Sequence, residues 1–170
     1  GLMGIMEQIY MYADKAICAI PDGWPFKLLG GVVLISLSRH LTLFTAFTLV
    51  VALDLFAKFI ALAYEMLKSE GKQTPSVVDS IKAIPAAHRA RIINSHEMKT
   101  QFAGKIIVYI LLVMAGELTD VLVGGNVNFS QMVVAYLAST EILSIIENLD
   151  DAGVSAVHGL AALIHRKTGM

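Results

Sequence analysis

Three long apolar runs constrain this chain more than anything else in it. The first starts at Leu41 and continues to about Tyr64, the second covers Ile106 to Val123, and the third covers Phe129 to about Leu149. Built as a helix at 1.5 Å per residue, the first run reaches roughly 36 Å, enough to cross a hydrocarbon core of about 30 Å with some tilt. Inside lipid the backbone must satisfy its own hydrogen bonds, and for isolated runs of this length the α-helix does so. Composition argues the same way. Hydrophobic residues make up 56% of the chain and charged residues 16%, whereas a soluble domain carries about 25% charged residues. So few charges cannot clothe a surface in water. The expected fold class is all-α: an integral membrane protein with about three transmembrane helices.

The flanking segments fill out the organisation. Over Leu2 to Ile20, apolar residues recur at Leu2, Ile5, Met6, Ile9, Ala13, Ala16 and Ile17, with Glu7, Asp14 and Lys15 on the other side. That period predicts an amphipathic helix lying along the interface, or packing in an oligomer contact. Pro21-Asp22-Gly23 ends it, and Trp24 follows where an interfacial aromatic belongs. Phe26 to Leu37 is apolar but short, and reads as a re-entrant piece or a fourth apolar helix. The expected segments are 1–25 (interfacial helix and turn), 26–67 (apolar segment and first span), 68–105 (basic loop), 106–149 (second and third spans) and 150–170 (basic tail). Within the loop, Gly71, Pro75 and Pro85 act as breakers, and Ala86 to Phe102 fits a helix on the membrane surface.

Charge placement sets the topology. The formal net charge is −1, so no global field attracts nucleic acid. The loop holds Lys68, Lys72, Lys82, Arg89, Arg91, Lys99 and Lys105, and the tail holds Arg166 and Lys167, while the turn Gly124 to Asn128 has no charge. The positive-inside rule places loop and tail in the cytoplasm. With three spans the N-terminus lies outside; a fourth would bring it inside. The basic loop suits anionic lipid, and its lack of interleaved aromatics speaks against nucleic acid. Cys18 is the sole cysteine, which excludes an internal disulfide or a Cys-rich zinc site. The first residues lack the basic start of a signal peptide. No phosphate loop, HExxH or GxSxG occurs, and the histidines lack ligand-like spacing with acids. No enzyme, cofactor or metal is expected.

The informative residues are ionisable groups inside the apolar runs. Each costs at least about 2.5–3.5 kcal/mol at membrane depth. Asp54 and Lys58 are four residues apart on one helix face, as a structural ion pair or as a polar face that meets other helices. Glu117 and Asp120 share a face near the turn, either hydrated or functional, with Gly116 and Gly124 on a neighbouring stripe. Glu141, Ser144, Asn148 and Asp151 form one polar stripe along the third run. Asp54, Lys58, Glu117, Asp120, Glu141, Ser144 and Asn148 are thus the candidates for a pore or oligomer interface. A single chain would struggle to hide three such seams, and lateral homo-oligomers would cover them.

From Leu41 onward the chain resembles the toxin-secretion/phage-lysis holins, the group that includes holins of clostridial toxin loci. The resemblance rests on Leu53-Asp54-Leu55-Phe56-Ala57-Lys58 and on Asn94-Ser95 through Phe102-Ala103-Gly104-Lys105 with the later Glu117-Leu118-Thr119-Asp120. It is most specific at Glu141-Ile142-Leu143-Ser144-Ile145-Ile146-Glu147-Asn148-Leu149 followed by Gly153. Relative to the family, Ala57 and Lys58 stand where Gly is usual, Ser69 to Ile93 looks like an insertion, and the first forty residues find no counterpart. The resemblance implies a multi-pass protein of the bacterial cytoplasmic membrane that assembles into lesions. Its functional partner is an endolysin or a toxin. The alternatives are a non-lytic channel or transporter subunit, and a regulatory, anti-holin-like or structural membrane protein.

Overall fold

The apolar runs form helices that are longer than the runs themselves. A computed structural model describes Gly4, Glu7, Gln8, residues 10–12, Asp14, Lys15 and residues 23–168. Most of the expected amphipathic helix over Leu2–Ile20, Cys18 included, lies outside the described residues. Two units are distinguished, Gly1–Thr45 and Ala46–Met170.

The first unit contains α1 (Trp24–Arg39), 16 residues long. The short apolar segment is therefore helical over its whole length. Helix α2 (Leu41–Ser69) begins in this unit and runs through the second. The second unit adds α3 (Val77–Arg89), α4 (Ser95–Val123), α5 (Phe129–Asp151) and α6 (Ser155–Thr168). Every element among the described residues is a helix, and α2, α4 and α5 are long and apolar enough to cross a membrane.

Local chemistry explains most of the boundaries. Helix α2 ends where the Ser69 hydroxyl donates back to the Met66 carbonyl at 2.6 Å and Gly71 takes a positive φ of 97°. Helix α3 opens with a capping box: Asp79 N–H donates to the Ser76 hydroxyl, and Ser76 N–H donates to Asp79 Oδ2, both at 3.1 Å. Lys72 Nζ lies 2.8 Å from the same carboxylate. Those bonds hold the Asp79 carboxyl down to about 2, the Lys72 contact contributing most and the Ser76 backbone and hydroxyl next.

Two expectations for the loop need correcting. Pro85 does not break the chain; it sits inside α3. A proline there forfeits one backbone bond and costs about 3 kcal/mol. Packing compensates: Ala87 is fully buried with Ala63, Met66 and Ile93, and Ala83 and Ile84 pack against that cluster. The surface helix expected over Ala86 to Phe102 is instead two helices. Arg91 adopts a left-handed φ of 61° between them, and the Asn94 side chain caps α4 by accepting from the His96 and Glu97 N–H groups. The helix of the second span therefore begins eleven residues before Ile106, and Lys105 lies inside it.

Among the described residues, antiparallel α4 and α5 make the most extensive helix pairing, followed by α5 and α6. A glycine permits the first approach. A Cβ on Gly116 would fall 2.9 Å from Ser130 Cα, closer than real atoms pack. At the other end, Ile60 and Ala61 of α2 pack with Ala152. The turn after α5 needs Gly153, whose φ is +76° and whose missing Cβ would strike the Tyr64 hydroxyl at 2.7 Å. The segment expected as a basic tail is largely helical: α6 buries Ala161 and places His158 Nδ1 2.8 Å from Asp150 of α5.

Candidate functional site

The ionisable groups of α2 and α5 meet on one lysine from α4. Lys105 Nζ lies 2.7 Å from Asp54 Oδ2, and 3.1 and 3.2 Å from Glu141 Oε1 and Oε2. The Tyr109 hydroxyl, one turn further along α4, donates to Glu141 Oε1. Asn148 Nδ2, two turns beyond Glu141 on α5, donates to Asp54 Oδ1 at 3.0 Å. Both carboxylates therefore accept from an ammonium and from one neutral donor. Glu141 is fully buried and Asp54 nearly so, with 0% and 6% of their surface exposed. No buried side-chain polar atom among the described residues lacks a partner.

Apolar neighbours fix this geometry. Phe47 of α2 sets its ring against Tyr109, with centroids 5.8 Å apart at a tilt of 59°, so the phenol is aimed rather than free to swing. Val51, Val113 and Leu137 are buried as well. An unpaired charge in such surroundings would be prohibitive. Two carboxylates sharing one ammonium leave the cluster with a formal charge of −1. Lys58 follows Asp54 by one turn on α2, and its ammonium donates to Gln101 Oε1 at 3.2 Å. The expected Asp54–Lys58 neighbours thus share a helix face, but each is held by a residue of α4. A cavity of about 190 Å³ adjoins the cluster, and its lining includes Asp54, Lys58, Gln101, Lys105, Ser144 and Asn148. It offers polar walls and room for water.

The candidates from the sequence therefore separate into two places. Asp54, Lys58, Glu141, Ser144 and Asn148 converge between α2, α4 and α5. Glu117 and Asp120 lie far along α4, beside the turn. There the Asp120 carboxylate accepts from the N–H groups of Phe129 and Ser130 and from the Ser130 hydroxyl, the last at 2.7 Å. It staples the start of α5 to the end of α4, and a carboxylate is well placed at a helix N-terminus. Glu117 is half-buried nearly one turn earlier.

A single chain, expected to struggle to hide its seams, does hide the acids of α2 and α5: within one chain they find Lys105, Tyr109 and Asn148. Sequence reasoning missed Lys105, Tyr109 and Gln101 because it assigned Lys105 and Gln101 to the loop. The signal was present. Asn94 followed three residues later by Glu97 marks a helix start, which places Gln101, Lys105 and Tyr109 at intervals of four on one face of α4.

The bacteriophage holin family matches residues 74–166, more than half of the chain. The chain belongs to that family. The matched stretch runs from α3 through most of α6 and so contains Lys105, Tyr109, Glu141 and Asn148 of the cluster. It also takes in most of Ser69 to Ile93, the segment expected as an insertion, and it leaves out Leu41 to Gln73, part of the stretch that carries the resemblance. Asp54 and Lys58 therefore come from outside the holin-family stretch. No curated protein and no solved structure matches the chain. With the family and three apolar helices of spanning length in hand, the chain is a holin-like multi-pass membrane protein.

Proposed function

We propose that the protein is a holin. It accumulates in the bacterial cytoplasmic membrane, oligomerises and forms lesions through which an endolysin or a toxin leaves the cell. The family match over the α4–α5 hairpin carries this reading. The buried cluster gives it a mechanism. In the single chain Asp54, Glu141 and Asn148 are satisfied internally, so isolated copies tolerate lipid. Opening the cluster exposes two carboxylates and an ammonium that a neighbouring copy, or water in a lesion, can satisfy. Asp54, Lys58, Glu141, Ser144 and Asn148 become the interface or lumen seam in that assembled state, and Glu117 and Asp120 line it near the turn.

The test is induced expression in bacteria with and without a cytoplasmic endolysin, following membrane potential and enzyme release. The expected result is abrupt depolarisation followed by release. High expression without either one would sink the reading.

A second reading is favoured by the same cluster. A chain whose polar groups are satisfied internally is suited to remain a stable, non-permeabilising unit, as an anti-holin-like regulator would. Its signature is no depolarisation when expressed alone, and delayed lysis when co-expressed with a lytic holin.

A further inference from the structure

The outward face of α3 combines two features that the ionic cluster does not use. Val78 and Ile81 are exposed there at 57% and 39%, and Ile92 just beyond the helix is exposed at 41%. Val78, Ile81, Lys82, Pro85 and Arg89 recur at helical spacing on one side, opposite the buried Ser80 and Ala87. Beside the aliphatic residues stand Lys82, Arg89 and Arg91, all exposed. None of the three forms an ion pair among the described residues. The carboxylate of α3 itself, Asp79, is engaged by Lys72, and Glu97 at the start of α4 accepts from Gln101. The surface is therefore apolar along one side, cationic along the other, and not neutralised from within.

Its position in the fold says what it meets. The inner face of α3 packs on Phe59, Leu62, Ala63 and Met66. Those residues form the last turns of the apolar run of α2, just before Lys68 and Ser69. The helix thus lies at the level where a membrane-spanning segment gives way to polar chain, which is the headgroup region.

We infer that the outward face of α3 docks on the membrane the chain spans, with Val78, Ile81 and Ile92 among the upper acyl chains and Lys82, Arg89 and Arg91 on anionic phospholipid headgroups. Aliphatic burial supplies contact with any bilayer, and the cations add the preference for anionic lipid. The occupant is lipid rather than a second copy because a like face would bring three more cations against these three.

The experiment uses the full chain with Cys18→Ser and Ile81→Cys, labelled with an environment-sensitive fluorophore. The protein is reconstituted in phosphatidylcholine vesicles with or without added phosphatidylglycerol. Burial is read from the emission shift and from quenching by lipids brominated near the headgroup. The label is expected to be buried and quenched when phosphatidylglycerol is present. Lys82→Gln, Arg89→Gln and Arg91→Gln should each weaken that burial equilibrium about fivefold, the equivalent of one basic residue near an anionic surface. Helicity by circular dichroism confirms that each variant is folded. A label equally accessible to water in both vesicle types would overturn the inference. So would burial that follows the protein-to-lipid ratio instead of phosphatidylglycerol content, since that identifies a second copy as the occupant.

Discussion

Replacing Lys105 with Met tests the central feature of the structure. The substitution keeps most of the side-chain volume and deletes the ammonium that Asp54 and Glu141 share. Removing one partner of a buried ion pair costs about 3–5 kcal/mol, because the remaining charge is left uncompensated. The Lys105 side chain is 37% exposed, so solvent screens part of the interaction and the lower end applies, about 3 kcal/mol. That corresponds to on the order of 100-fold in the unfolding equilibrium. Glu141→Gln should be much milder. It leaves an acceptor for Tyr109 and a neutral Asp54–Lys105 pair, and loses about 1–2 kcal/mol of charge-assisted bonding. The ranking then predicts a rescue: Lys105→Met combined with Asp54→Asn and Glu141→Gln carries no buried charge and should recover at least half of the loss. The measurement is equilibrium unfolding in mixed detergent micelles, followed by helicity. If Lys105→Met unfolds with the parent, or if the charge-free triple variant is no better than Lys105→Met alone, the account of the cluster is wrong.

Gly116→Val should separate α4 from α5, since even a Cβ at this position meets Ser130 Cα at 2.9 Å; overpacking of this kind costs about 1–3 kcal/mol, read in the same unfolding assay. Asp120→Ala removes the staple across the turn and should cost about 0.5–2 kcal/mol, the range for a lost N-terminal cap, with faster amide exchange at Phe129 and Ser130 as the local signature. Acid should loosen the start of α3 in a defined window. The Asp79 carboxyl is held from 3.8 down to about 2, so its contribution is fully present above pH 3.8 and is lost as pH falls toward 2. Amide exchange at Asp79 should rise over that interval, and Asp79→Asn should abolish the dependence.

The helices of spanning length were legible because bilayer thickness imposes a length, and Leu41, Ile106 and Phe129 open runs that meet it. The acids of the site were legible because a carboxylate in such a run is costly, which singled out Asp54 and Glu141. Their partners were not. Spacing along one helix suggests Lys58 for Asp54, but helix packing chose Lys105, fifty-one residues away. That choice depends on where α4 starts, and a polar first segment disguised eleven residues of helix as loop. Pro85 misled for a similar reason: propensity reads it as a break, whereas burial of Ala87 and the packing of partly buried Ile84 outweigh the local cost. The role of Asp120 was hidden because its partners are backbone N–H groups, which every sequence supplies and none advertises.

The charge count across the cluster has a consequence for how the chain enters a membrane. Within this layer the hairpin of α4 and α5 carries one ammonium, Lys105, and one carboxylate, Glu141. Helix α2 carries one of each as well, Asp54 and Lys58, a single turn apart. Each piece is therefore electrically neutral there before they meet, and each can balance its own ions while it partitions into lipid separately. Docking then gives Asp54 the ammonium of Lys105 and leaves Lys58 on the neutral Gln101, rather than neutralising two oppositely charged bodies. Because little net charge attraction draws them together, the joint depends on the individual bonds that Asp54 makes with Lys105 and Asn148 and Lys58 makes with Gln101.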